Sequence, residues 1–66
     1  MYKVIGESNE LVYSGDDKGL AILEGSKYVA WYADEDSIIN LETLSHGAID
    51  ITCKDTMVSC IVYDLS

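Results

Sequence analysis

The stretch from Ile49 to Val62 alternates so regularly that it constrains the fold more than any other part of the chain. Ile49, Ile51 and Cys53 fall on one side, and Asp50, Thr52 and Lys54 on the other. A period of two marks a strand with one buried face. A second strand, Met57–Asp64, follows Asp55-Thr56. With those two residues as the loop, Cys53 faces Val58, Ile51 faces Cys60 and Ile49 faces Val62. One face of the hairpin is then wholly apolar, and pattern and register agree.

Upstream, proline is absent, so glycine and clusters of Asp, Asn and Ser must mark the turns. Tyr2–Ile5 reads as a short strand, Gly6-Glu7-Ser8-Asn9 as a turn, Glu10–Ser14 as a second strand, and Gly15–Gly19 as an acidic loop. Leu20–Glu24 and Lys27–Ala33 flank Gly25-Ser26, a pair suited to a type II′ turn, and predict a central hairpin with Glu24 opposite Lys27. A helix over 17–33 is the rival expectation, weakened by Gly19 and Gly25. Ile38–Gly47 then reads as a short helix. Asp36 or Ser37 would cap it, Ile38, Leu41 and Leu44 would share one face, and Gly47 would end it. The expected architecture is α+β and mostly β. A single domain over residues 1–66 would hold an antiparallel sheet of about five to six strands in the order ββββαββ, with one short helix packed on a face.

A chain of 66 residues has room for one core. At this size, folding hides only about 60% of the surface that the unfolded chain exposes, and the core supplies roughly 3–5 kcal/mol. Against that margin stands a large charge. Twelve acids face four lysines and no arginine, for a net charge of −8 and a pI near 4.1. Self-repulsion of this kind costs stability, so either solubility or recognition must justify it. Direct nucleic-acid binding is disfavoured, because it needs cations facing phosphate. An anionic membrane surface is disfavoured on the same ground. Met1–Ile5 enters a strand with no apolar leader or cleavage site, and no apolar run has transmembrane length, which predicts a cytoplasmic protein. Two cysteines fit a reducing compartment better than a disulfide framework.

No catalytic or metal motif stands out. His46 is the single histidine, and at the end of the expected helix it serves the last carbonyls. Cys53 and Cys60 fall on the apolar face as diagonal neighbours, roughly 7–8 Å apart, and read as two small buried hydrophobes. Asp34-Glu35-Asp36 lacks the spacing and the glycine of a calcium loop. Gly15 and Gly19 lie among acids that would repel phosphate. No cofactor or metal is expected, and the chain is not expected to be an enzyme.

The acids themselves remain. On strands, alternate residues repeat about every 6.6 Å along one face, so carboxylates can present regularly spaced negative charge much as a nucleic-acid backbone does. Tyr13, Tyr28, Tyr32 and Tyr63 could interleave as contact anchors. The expected protein-binding surface comprises Asp16, Asp17, Asp34, Glu35, Asp36 and Glu42. In size and charge the chain resembles small acidic proteins of phages and mobile elements that blunt host defences. That resemblance implies an inhibitor of the anti-CRISPR or anti-restriction type, blocking the basic groove of a nucleic-acid-binding protein in the host cytoplasm. An immunity protein or antitoxin against a basic nuclease toxin is the alternative. A homo-oligomeric assembly module that adds strands edge to edge is another. The expected oligomeric state is a monomer or a weak homodimer.

Overall fold

The computed structural model describes every residue except Glu35 and Ser66. Five strands form one sheet: β1 (Tyr2–Ile5), β2 (Leu11–Gly15), β3 (Ile39–Thr43), β4 (Ile49–Cys53) and β5 (Ser59–Asp64). Among the described residues one α-helix, α1 (Lys18–Trp31), is present, and it lies between β2 and β3 in the chain. The strands are ordered β2-β1-β5-β4-β3, and every neighbouring pair is antiparallel. The fold is therefore α+β, with an antiparallel sheet and one helix packed on a face. Its chain order is ββαβββ, which corrects the expected ββββαββ.

The last hairpin has the expected register. Ile49 faces Val62, Ile51 faces Cys60, and the Cys53 N–H donates to the Val58 carbonyl at 2.9 Å. The loop is wider than two residues. The Met57 N–H returns to the Cys53 carbonyl at 2.8 Å, with Met57 in the left-handed region at φ 62. That conformation supplies the reversal for which no glycine is present.

The expected central hairpin over 20–33 is instead α1. Gly25 decides the outcome. A Cβ at this position would fall 2.9 Å from Ile51 Cδ1, 3.1 Å from Cys60 Sγ and 3.3 Å from Val4 Cγ1. The missing side chain lets the helix lie against three strands, and this close packing outweighs the roughly 1 kcal/mol propensity cost of a helical glycine. Ala21, Gly25 and Val29 form the buried stripe at four-residue spacing. Asp17 caps the helix, its Oδ1 accepting the Leu20 N–H at 3.0 Å.

The expected helix over Ile38–Gly47 is also corrected, to strand β3 followed by a 3-10 turn at Ser45–Gly47. Ile39 and Leu41 alternate with Asn40 and Glu42, and β3 pairs along its whole length with β4. Ser37 does not cap a helix; its hydroxyl accepts the Asp34 N–H at 3.0 Å in the turn before β3. Tertiary pairing with β4 overrode a local pattern that fits either period.

The core lies between α1 and one face of the sheet. Val4, Ala21, Val29, Ile51, Cys53, Cys60 and Val62 are buried, and Tyr2, Tyr13, Tyr28, Ile39 and Ile49 pack around them. The opposite face is open. Leu11, Ile5 and Ile61 lie across β2, β1 and β5, and the row continues into Asp50 on β4 and Glu42 on β3. Along this row one half is therefore apolar and the other acidic.

Candidate protein-binding surface

The pairing registers sort the connections to the two ends of the sheet. Gly15 faces Tyr2, Tyr2 faces Asp64, and Thr43 faces Ile49. One end therefore carries the start of α1 and the β3–β4 turn. The other end carries the β1–β2 turn, the connection from α1 to β3, and the β4–β5 loop. The expected site residues divide accordingly.

Asp16 and Asp17 are adjacent at the first end. Asp16 lies 3.7 Å from the Met1 amine, with its side chain 93% exposed. Asp17 is committed to capping α1. Asp34 and Asp36 lie at the second end, beyond the C-terminus of the helix, and are exposed. The length of α1, about 21 Å at 1.5 Å per residue, separates the two pairs. Glu42 belongs to neither end; it faces Asp50 across the β3–β4 ladder on the open face. Glu35 lies outside the described residues. The expected set therefore does not form one patch.

The second end gathers acids that the sequence pattern did not place there. Glu7 and Glu10 flank the β1–β2 turn, and Asp55 lies in the β4–β5 loop, all exposed. With Asp34 and Asp36 they put five carboxylates, drawn from three connections, at one end of the sheet, against Lys54 as the lysine of those connections. Trp31, the last residue of α1, is 84% exposed here, followed by Tyr32 at 49%, Ile38 at 68% and Met57 at 72%. Exposed aromatic and apolar side chains therefore stand beside acidic charge at this end.

This end is braced from beneath. The Glu7 N–H donates to Tyr28 Oη at 2.9 Å, and Glu7 Oε1 accepts the Ser59 N–H at 3.1 Å. The Tyr28 ring stands edge-on to Tyr32, with centroids 5.6 Å apart. Gly6 makes room for that ring, since a Cβ there would fall 2.5 Å from Tyr28 Cζ. Burial pushes the Tyr28 phenol upward, and the nearby Glu10, Tyr32 and Glu7 add in the same direction against the Glu7 N–H. Tyr13 and Tyr28 thus serve the core, while Tyr32 and Tyr63 remain available at the surface. Had residues 18–31 been read as a helix and 39–43 as a strand paired with β4, both turns and the 32–38 connection would have been assigned to the same end.

The two thiols are buried and free. Burial, with Asp50 nearby, pushes the Cys60 thiol up to about 11. Its S–H donates to the Gly25 carbonyl at 3.4 Å. Hydrogen bonds from the Thr56 side chain and backbone draw Cys53 downward against its burial, with smaller help from Asp55 and Ser37. Cys53 has no exposed surface. His46, in the left-handed region at φ 65, is exposed in the β3–β4 turn and caps no helix.

Among the described residues the surface has no pocket, and no cluster of three or more His, Cys, Asp and Glu side chains is placed to hold a metal ion. No helix among them is long and apolar enough to cross a membrane. No protein-family model, curated protein or solved structure matches the chain.

Proposed function

We propose that this protein is an acidic inhibitor that binds the basic groove of a nucleic-acid-binding protein and excludes the nucleic acid. The observation that carries this reading is the end of the sheet where Glu7, Glu10, Asp34, Asp36 and Asp55 accompany the 84% exposed Trp31. Carboxylates there would take the place of phosphates opposite lysine and arginine of the target. Association would be fast and weakened by salt. Trp31 would supply the desolvated anchor that charge alone lacks.

The reading narrows the expected residues to Asp34 and Asp36, with Glu35 between them in sequence, and adds Trp31. Asp16, Asp17 and Glu42 would contribute only long-range field. A phage or mobile-element protein of the anti-CRISPR or anti-restriction type would act this way in the host cytoplasm, and two free cysteines support a reducing compartment. An immunity protein or antitoxin facing a basic nuclease toxin would present the same kind of surface, and the identity of the captured protein separates the two.

The test is capture from bacterial lysate with the tagged protein at low and high salt, followed by challenge with DNA or RNA. A nucleic-acid-binding protein released by salt and by nucleic acid is expected. Trp31→Ala should weaken its binding by about 2 kcal/mol or more, and neutralising Asp34, Asp36 and Asp55 together should weaken binding and reduce its salt dependence. Capture that survives both changes would overturn the reading.

A further inference from the structure

The two edges of the sheet differ in how they are protected. β2 is interrupted by a bulge, where the register with β1 shifts between Val4 and Ile5. β3 pairs evenly with β4 and carries no bulge, lysine or proline, the usual devices that blunt an edge. Four of its five residues are exposed. Around it Ile38, Leu41 and Leu44 are 68%, 49% and 37% exposed.

The direction of its free backbone groups follows from β4. Cys53 donates its N–H to Val58 at 2.9 Å and accepts the Met57 N–H at 2.8 Å, so both of its polar groups point away from β3. That direction reverses at each successive residue. Thr52 and Asp50 therefore turn theirs toward Asn40 and Glu42. The Lys54 N–H reaching the Ile38 carbonyl at 3.4 Å follows the same parity. Ile39, Leu41 and Thr43 are left with N–H and C=O groups aimed outward from the sheet.

We propose that β3 is a self-pairing edge that joins two copies of this chain antiparallel about a twofold axis at Leu41. In this register Leu41 meets Leu41 of the second copy, and Ile39 meets Thr43. Each pair brings together residues whose polar groups face outward, so each exchanges two N–H···O bonds. Charge selects this register over its neighbours. Glu42, the one charged residue of β3, falls opposite Asn40, whose amide can donate to it. A shift of the axis to Glu42 would oppose two carboxylates, and a shift to Asn40 would shorten the ladder. The exposed apolar residues also match, since Ile38 comes opposite Leu44. The interface is isologous, as a twofold requires, and continues the sheet from one copy into the next. It runs along the β3 edge and shares Ile38 alone with the surface proposed for the inhibited partner.

A single added strand buries less than the roughly 1,600 Å² of a standard interface, and two copies at −8 each repel one another. Self-association is therefore weak at low salt and strengthens as salt screens that repulsion. This is opposite in sign to the salt dependence of a basic partner, so the two proposals fail separately.

Sedimentation velocity over roughly 10 µM to 1 mM protein, at about 0.05 and 0.5 M salt, tests it. The wild type should shift toward a dimer at high concentration, more so at high salt. Leu41→Lys, checked for folding by circular dichroism, should weaken association by about tenfold or more. Under oxidation, a mixture of Asn40→Cys and Glu42→Cys chains should cross-link to each other, while neither variant cross-links to itself. A wild type that stays monomeric throughout, a folded Leu41→Lys chain that associates as well as wild type, or single variants that cross-link as readily as the mixture would each overturn the proposal.

Discussion

Gly25 of the helix and Ile51 of the sheet approach so closely that a single added methyl would force the Ile51 side chain to shift: a Cβ on Gly25 would fall 2.9 Å from Ile51 Cδ1. By propensity, Gly25→Ala should favour the helix by about 1 kcal/mol. Overpacking against Ile51, Cys60 and Val4 together costs roughly 1–3 kcal/mol. The variant is expected to be less stable by about 1 kcal/mol, read as a lower urea midpoint at unchanged m-value. A higher midpoint would mean that the helix can lift off the sheet at little cost.

Asp17 was expected at the binding surface, and it caps α1 through a 3.0 Å bond to the Leu20 N–H. Asp17→Ala should lose about 1 kcal/mol of stability, and Asp17→Asn, which keeps the acceptor, only a few tenths. Equal losses from both would locate the effect in the charge at the helix end rather than in the cap.

Cys60 gives the fold an alkaline limit. Its thiol is raised from the ordinary value of 9.0 to about 11, first by burial and then by Asp50. Below the ordinary value both folded and unfolded chains hold the proton, and the contribution is fully present. As pH rises from about 9 to 11 the unfolded chain ionises first, and about 1–2 kcal/mol of stability is lost. Tyr28, also raised, acts in the same sense at higher pH. Cys53 is lowered and has the opposite sign, in a window below its ordinary value. Urea midpoints across this range should fall for the wild type and for Cys53→Ala, and fall less for Cys60→Ala. Parallel curves for all three would remove Cys60 as the cause.

Met57 holds a left-handed backbone at φ 62 with its side chain 72% exposed. Relieving that conformation with Met57→Gly should raise stability by up to about 1 kcal/mol. If the side chain serves recognition, the same change should weaken partner binding. A more stable variant with undiminished binding would confine Met57 to the loop.

What the linear chain could determine by itself was whatever a short range of residues states without ambiguity. The β4–β5 register was legible because alternation and loop length agreed. The two buried cysteines, the first two strands and the α+β class with an antiparallel sheet were legible as well. The acidic excess was plain from composition, but its arrangement was not. Ile38, Leu41 and Leu44 suit a helical face while Ile39 and Leu41 suit a strand, and only the presence of β4 beside them selected the strand. Gly25 looked like a turn, and only the three side chains of the sheet beneath it turned that glycine into a helix contact. Because residues 18–31 form a helix and not a hairpin, Asp16 and Asp17 were sent to one end of the sheet and Asp34, Asp36 and Trp31 to the other. Tertiary structure decided which charges act together, because proximity among distant residues is set by packing rather than by local preference.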